Sequence, residues 1–324
     1  MAKGRGHFAR QPLYYAIRSA LNALGITSCA MVLVTVKAPW VQLSVAVPLA
    51  FMFGQVALVG HDAGHRQLAR SPGWTRVWGY LHLNLGVGLS FGWWVKRHTR
   101  HHAHPNDPAR DPDAMNAFIM YSEGQVNGRG RVRRMVGRYQ AYLFLPALFL
   151  LPGVVLHVTH VGQLVRHRLR LWVIELILIF GHFTIMWWAV AAVMPLGRAV
   201  AFMAIHRALM GAYLAGVIAP NHKGMPMLNG WMSDDFLLRQ VMTSRNVRGG
   251  LVTEIVYGGL NYQIEHHLFP SMPVPGLRRV RPLVKDYCMQ WGIPYTEVGI
   301  FESYRRVLTG LHEIGRDRVG RGRR

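Results

Sequence analysis

The histidines of this 324-residue chain are grouped in a way that predicts a metal site. Seven of the seventeen fall in three short clusters, and an eighth follows the last long apolar run. These eight are His61, His65, His98, His101, His102, His222, His266 and His267. Residues three and four apart on a helix share one face, so each cluster can present two or three ring nitrogens to one point.

The number and type of these side chains indicate which chemistry they could support. Eight ring nitrogens exceed the coordination sphere of one ion, which predicts two metals. Neutral imidazole suits iron, copper, zinc and nickel, so ligand type does not name the metal. An all-imidazole pair of metals favours oxygen activation over hydrolysis, because a zinc hydrolase normally combines three ligands with a nearby carboxylate base. The hydrolase motif His-Glu-x-x-His is absent.

Four further polar side chains lie close to the clusters in sequence. Asp62, Asp111 and Glu265 are candidates to accept the second ring N–H of a ligating imidazole, a role that carboxylates commonly take around metals. Gln263 stands three residues before His266, on the same predicted helical face. We expect all four to contribute to the cofactor site.

The composition indicates an integral, multi-pass membrane protein. Hydrophobic residues make up 51% of the chain and the mean hydropathy is +0.15. The net charge of +22 could suit nucleic acid, an anionic membrane face or an acidic partner. The long apolar runs exclude nucleic acid and favour basic loops retained on the cytoplasmic side. Two cysteines provide neither a disulfide framework nor a thiolate metal site.

The apolar runs predict four membrane spans of roughly twenty residues each. They cover residues 16–36, 40–60, 172–195 and 199–219. A further apolar segment, 142–161, is predicted not to cross, because Pro146 and Pro152 would break a spanning helix. All three clusters can then share one side of the membrane, and the basic loops predict that this is the cytoplasmic face.

The three clusters, their order and the hairpins between them resemble the membrane fatty acid desaturase family. The resemblance covers roughly His61 to Pro275, and the segment Gln263-Ile-Glu-His-His-Leu-Phe-Pro270 is its most specific part. It implies an all-α integral membrane protein, with four transmembrane helices in two hairpins beneath a cytosolic helical cap. It also implies two iron ions held by the eight histidines. The implied reaction uses O₂ to remove two hydrogens from adjacent methylenes of an acyl chain, leaving a cis double bond.

The resemblance divides one domain, 1–324, into five parts. We expect a first transmembrane hairpin at 16–60, a cap segment with two clusters at 61–141, a re-entrant or interfacial segment at 142–171, a second hairpin at 172–219, and a cap segment with the third cluster and a basic tail at 220–324. Gln263 stands where many members of the family have histidine. A glutamine at this position resembles the front-end desaturases, although it is not confined to them. Its ligation of iron, directly or through water, is left open.

The resemblance also implies partners. Many front-end members carry a fused cytochrome domain with a His-Pro-Gly-Gly motif, which these 324 residues lack. We therefore expect electrons from a separate acidic ferredoxin or cytochrome with its reductase. A basic surface could dock this donor or hold the phosphates of CoA or a lipid, and it includes Arg245, Arg248, Arg278, Arg279 and Arg281. The acyl substrate could be carried on CoA, a carrier protein or a phospholipid.

Two alternatives remain open at this point. A hydroxylase or ketolase of the same superfamily would use the same metals, but it would transfer oxygen to the substrate carbon instead of removing a second hydrogen. A polytopic metal transporter could also be rich in histidine, but its ligands should lie near the middle of its helices. Here the clusters lie beyond the predicted helix ends, which disfavours transport.

Overall fold

The computed structural model describes residues 6–114, 119–120, 131–168, 170–228 and 234–316, and most of them are helical. The helices are α1 Pro12–Thr35, α2 Pro39–Ser44, α3 Ala46–Gly64, α4 Pro72–Gly79, a π-helix Tyr80–Val87, α5 Phe91–Ala103, α6 Arg131–His167, α7 Trp172–Ala191, α8 Leu196–His222, α9 Phe236–Met242, α10 Leu251–Tyr257, α11 Gln263–Leu268, α12 Val274–Gln290 and α13 Ile300–Arg316. Two short strands, β1 Asn246–Arg248 and β2 Glu297–Gly299, pair in parallel. The expectation of a mostly helical protein is confirmed, with a small sheet that the sequence pattern did not predict.

Four helical stretches among the described residues are long and apolar enough to cross a membrane. They are Pro12–Thr35, Pro39–Gly64, Trp172–Ala191 and Leu196–His222. They coincide with the four predicted apolar spans, and their ends differ from the prediction by a few residues. The second stretch combines α2 and α3 and continues through His61 to Gly64, so His61 lies on the last turn of a helix and His65 directly follows its end. The last stretch likewise carries His222 at its end.

The chain divides into two compact units. The first, Phe8–Lys96 and Leu148–Ala215, is here called the apolar unit. Its core includes the buried side chains of Phe53, Leu83 and Phe202. Helix α3 packs closely on the π-helix, because a Cβ at Gly60 would lie only 2.6 Å from Leu83 Cγ. The outer face of α1 is apolar and exposed, with Leu13 at 71%, which suits contact with lipid rather than water.

The second unit contains Met1–His7, Arg97–Ala147 and Gly216–Arg324, and is here called the histidine unit. Its small sheet pairs Asn246 with Glu297 and Arg248 with Gly299. Residues 61–96, for which the sequence predicts a place in the cap, pack within the apolar unit. The first histidine cluster is therefore part of the apolar unit.

Helix α6 differs from the expectation that prolines interrupt the segment 142–161. It runs without a break from Arg131 to His167, through both Pro146 and Pro152. An interior proline costs about 3 kcal/mol in a helix. Burial of apolar side chains such as Phe144 and Leu164 offsets this cost along so long a helix.

Candidate metal centre

Three helices supply the clustered imidazoles of the histidine unit. His98, His101 and His102 lie on the last turns of α5, and His222 is the last residue of α8. His266 and His267 lie on the short helix α11, where all six residues are buried. The spacings that the sequence showed therefore do place ring nitrogens at helix ends.

Three of these rings form a compact buried group. The ligand nitrogens of His101, His222 and His267 lie within 4.8 Å of one another. The Nε2 atoms of His101 and His222 are 3.3 Å apart. All three residues are at most 4% exposed, so water does not readily separate their ring nitrogens. This group joins one histidine from each of three helices that are distant in sequence.

The outer nitrogen of each ring in this group faces a hydrogen-bond acceptor. His101 Nδ1 lies 3.1 Å from both carboxylate oxygens of Asp111, and His222 Nδ1 lies 3.0 Å from the Thr243 carbonyl oxygen. His267 Nδ1 lies 2.9 Å from Gln240 Oε1. A neutral imidazole with its proton on Nδ1 presents a lone pair at Nε2. The surroundings therefore fix all three rings in the tautomer that a metal ligand requires.

This donor set fits a metal ion of the iron, copper, zinc and nickel group. Two neutral rings that present Nε2 lone pairs to each other at 3.3 Å repel unless a cation lies between them. Burial lowers the pKa of His101, but the charge and hydrogen bond of Asp111 outweigh that effect and raise the pKa above its usual range. A cation is thus favoured beside His101 Nε2, as a ring proton or as a bound metal.

A second set of rings adjoins the first. The Nε2 atoms of His98 and His102 are 3.0 Å apart, and the centroids of the His102 and His266 rings are 4.8 Å apart. His102 also stacks on His267 at 4.1 Å, which places the two sets side by side. Six of the eight predicted ligands are thus brought together within the histidine unit.

His61 and His65, the remaining two predicted ligands, lie together in the apolar unit. Their ring centroids are 4.8 Å apart. His61 Nδ1 lies 3.0 Å from Asp62 Oδ1, and Arg18 bonds the other oxygen of Asp62 at 3.3 Å. Asp62 therefore has the contact that was expected of it, because it binds the outer nitrogen of an imidazole.

Gln263 is turned with its amide nitrogen toward the cluster. Asn221 Nδ2 donates to Gln263 Oε1 at 3.1 Å and also to the carbonyl oxygens of Val217 and Leu260. These bonds fix the orientation of both amides. Gln263 Nε2 then donates to His222 Nε2 at 2.9 Å. In this arrangement Gln263 occupies the lone pair of His222 and directs no oxygen at the centre.

The two remaining carboxylate candidates differ in their contacts. Asp111 is fully buried and accepts the backbone N–H of Asn106 at 2.9 Å and of Asp113 at 2.8 Å, in addition to His101. Glu265 accepts instead from Asn246 Nδ2 and the Tyr295 hydroxyl, both at 2.8 Å. Burial raises the pKa of Glu265 to about 7, although both hydrogen bonds oppose the shift. The carboxylate of Glu265 thus orders the loop around β1.

The prediction that Arg245 belongs to the basic surface is wrong. Arg245 is fully buried, and its guanidinium donates to the carbonyl oxygens of Pro220, Lys223 and Ser303. Arginine has five donors in a fixed fork, which suits it to closing off several carbonyl groups at once. Arg245 therefore stabilises the segment after His222 and is not available to a partner.

Sequence reasoning missed three groups around the rings. Gln240 joins two of the sets, because its Nε2 donates to the His102 carbonyl oxygen at 3.0 Å while its Oε1 faces His267. The Thr243 carbonyl orients His222, and Asn106 Nδ2 donates to the His222 carbonyl oxygen at 3.1 Å. None of these residues belongs to a recognisable motif, so the sequence carried no signal for them.

Several known proteins are similar to this chain. An acyl-lipid (9-3)-desaturase from Physcomitrium patens is 27% identical over 95% of this chain and 60% of its own length. A Δ8 fatty-acid desaturase from Euglena gracilis is 28% identical over 90% of this chain and 71% of its own length. A Δ8-(E)-sphingolipid desaturase from Lachancea kluyveri is 29% identical over 80% of this chain and 49% of its own length.

The chain thus spans between 49% and 71% of the length of these three relatives. Residues 38–299 match the family described as fatty acid desaturase, and this range holds all eight clustered histidines. The buried imidazole groups and the four apolar helices therefore belong to a member of the fatty acid desaturase family.

Proposed function

We propose that this protein is a membrane fatty acid desaturase whose eight clustered histidines hold two iron ions. The group of His101, His222 and His267 carries the proposal, because each ring is buried and its outer nitrogen is engaged. His101 and His267 each offer a lone pair at Nε2, and for the lone pair of His222 a metal would compete with the amide N–H of Gln263. The ligand set extends to His98, His102 and His266 beside them, and to His61 and His65 from the sequence pattern.

The protein supplies binding and orientation at this centre. Iron held there would supply the redox chemistry by which O₂ removes two hydrogens from adjacent methylenes. Asp111, Gln240 and the Thr243 carbonyl keep the rings of His101, His267 and His222 in one tautomer. The burial of the three rings excludes bulk water, and this strengthens every electrostatic contact at the centre.

The four spans form two hairpins, and the active site lies at the cytoplasmic face. Contacts in the apolar unit support the first hairpin, because Tyr15 bonds Gln67 while Arg18 bonds Asp62, so the sequence order reverses between the two helices. The excess of basic residues supports the cytoplasmic side. Electrons are delivered on that side by an acidic ferredoxin or cytochrome with its reductase.

The substrate is an acyl chain carried on a membrane lipid. The relatives include proteins named for acyl-lipid and sphingolipid substrates. A lipid-borne chain reaches a membrane enzyme within the bilayer, without a soluble carrier. Analysis of separated lipid classes after expression would show which class first carries the new double bond.

The decisive experiment compares the fatty acids of cells that express the wild type, His101→Ala or His104→Ala. His104 lies three residues after His101 but outside every ring group described above, so it is the matched control. Gas chromatography with mass spectrometry of derivatised chains locates each double bond. We expect a new alkene with the wild type and with His104→Ala, and none with His101→Ala.

Other outcomes distinguish the alternatives. A hydroxylated chain would assign the protein to the hydroxylases of the same superfamily. Equal product from His101→Ala would contradict the metal centre altogether. If no variant changes the lipids, iron analysis of the purified protein decides, since about two irons per chain are expected and none would refute the proposal.

A further inference from the structure

Helix α5 carries His98, His101 and His102. It begins just after an interruption in the helical backbone, and this interruption lies inside the apolar unit. The π-helix ends at Val87, and Gly88 takes a left-handed φ of 77°. Helix α5 then begins at Phe91. A break of this kind leaves carbonyl groups unpaired at one helix end and N–H groups at the next, and each must find a partner when it is buried.

Two basic side chains from the spanning helices close the end of the π-helix. His182 Nδ1 donates to the Leu85 carbonyl oxygen at 2.9 Å, and Arg207 Nη1 donates to the Val87 carbonyl oxygen at 3.2 Å. The other Arg207 terminal nitrogen lies 2.6 Å from His182 Nε2. A cation at a helix C-terminus complements its partial negative charge. Arg207 and His182, which the metal centre does not use, therefore have a defined role.

The first N–H groups of α5 are each paired with a side-chain oxygen. Phe91 N donates to Asn84 Oδ1 at 3.1 Å, Gly92 N to Glu175 Oε2 at 3.2 Å, and Trp93 N to Ser90 Oγ at 3.1 Å. Glu175 Oε2 also accepts from Ser90 Oγ at 2.6 Å and from Asn84 Nδ2 at 3.0 Å. One carboxylate oxygen thus connects all three caps.

The position of Glu175 carries a cost in free energy. It is fully buried on α7, one of the four apolar spans, where an ionisable side chain is expensive and usually functional. A neutral serine or asparagine would suffice to cap a helix. A carboxylate adds a charge that a helix N-terminus attracts. It also fits tightly, because a Cβ at Gly92 would lie 2.5 Å from Glu175 Oε1.

We propose that Glu175 is a positioning residue for the metal centre. Its carboxylate clamps the first turn of α5 and so fixes the rotation of the rings that follow on the same helix. His98 and His101 stand roughly 9 and 14 Å further along, at about 1.5 Å per residue. A helix is stiff over that distance, so the clamp sets the direction in which His98, His101 and His102 present their nitrogens. This inference rests on the proposed metal centre.

The test measures metal binding rather than turnover. Co²⁺ is titrated into purified, metal-free, full-length protein, and the absorption bands of the bound ion report ligand geometry. We expect Glu175→Gln to lower Co²⁺ affinity about tenfold and to shift these bands, because the charge of the clamp is lost. Gly92→Ala should act in the same direction from the other side of the contact.

A compensating second substitution distinguishes a positioning role of Glu175 from a general loss of stability. Glu175→Asp shortens the side chain, which makes room for a methyl group at residue 92. The double variant Gly92→Ala with Glu175→Asp should therefore recover Co²⁺ affinity relative to Gly92→Ala alone. The matched control is Gln42→Leu, since Gln42 is equally buried in the same unit and bonds Leu33, Val193 and Arg198 far from α5 in sequence. It should lower the melting temperature without moving the bands.

The possible outcomes distinguish the positioning role of Glu175 from the metal centre on which it rests. If the wild type binds no Co²⁺, the metal centre itself is refuted. If the wild type binds Co²⁺ and both Glu175→Gln and Gly92→Ala match it, only the positioning role is refuted. Equal band shifts in Gln42→Leu would also refute it, because any loss of stability would then be sufficient. Should Glu175→Gln fail to fold, Gly92→Ala and its rescue decide.

Discussion

Replacing Asp111 with asparagine should weaken the metal centre while the chain still folds. Each oxygen of Asp111 receives a backbone N–H, Oδ1 from Asp113 at 2.8 Å and Oδ2 from Asn106 at 2.9 Å. His101 Nδ1 lies 3.1 Å from both oxygens. An asparagine of the same shape must turn its NH₂ group toward one of these donors. Either orientation leaves a buried N–H facing another N–H.

The size of the effect follows from the hydrogen bonds that the carboxylate accepts. A hydrogen bond to a charged group contributes about 1.5–3 kcal/mol, and Asp111→Asn removes the charge and one acceptor. We expect the free energy of unfolding to fall by about 3 kcal/mol. Partners that orient ligating rings are typically worth 10- to 100-fold in metal affinity, about 1.4–2.8 kcal/mol. Metal affinity should therefore fall within that range, because His101 no longer has a fixed tautomer.

Asp107→Asn is the matched control for this measurement. Asp107 lies in the same loop and accepts the backbone N–H groups of Ala109 at 2.8 Å and Arg110 at 3.1 Å, without any contact to a ring described here. Titration of Co²⁺ into each purified variant gives the affinities, and thermal melts give the stabilities. Asp107→Asn should lose stability but keep its affinity. An unchanged affinity in Asp111→Asn would refute the role assigned to the carboxylate.

Three other predictions follow from the contacts of the centre. Gln240→Leu should lower Co²⁺ affinity about tenfold, because His267 loses the acceptor that holds its proton on Nδ1. Gln263→Leu should instead raise the affinity roughly threefold to tenfold, since the amide N–H no longer competes for the lone pair of His222; a loss of metal would show that Gln263 is a ligand. A reporter enzyme inserted in the turn at residues 36–38 should be active outside the cytoplasm and one at the C-terminus inside it, and the reverse result would overturn the topology.

The sequence predicted those parts of the centre that depend on local geometry. His98, His101 and His102 share one helix, so their spacing alone implied a common face. The four spans were predictable for the same reason, because length and hydropathy are properties of a continuous segment. Gln240 was not predictable, since it reaches His267 from 27 residues away and follows no periodic pattern.

Local rules gave the wrong prediction where packing outweighs them. The prolines of α6 each cost hydrogen-bonding and steric energy, yet the helix continues past both. A propensity rule treats each residue alone, whereas this 37-residue helix also buries the apolar side chains of Phe144, Leu148 and Leu164. The break at Gly88 shows the converse, because it occurs in a run with no proline and is stabilised by the distant residues Arg207 and Glu175.

Asp62 and Glu265 show most directly why the surroundings of a ring cannot be read from its neighbours. Each carboxylate stands next to a predicted ligand in sequence, and no feature of the sequence separates them. Asp62 bonds His61 while Arg18, 44 residues earlier, holds its second oxygen. The side chain of Glu265 is drawn to Asn246 and Tyr295, which come from either side of it in the chain. Side-chain direction is thus decided by the partner that the fold brings nearest, and that partner can be distant in sequence.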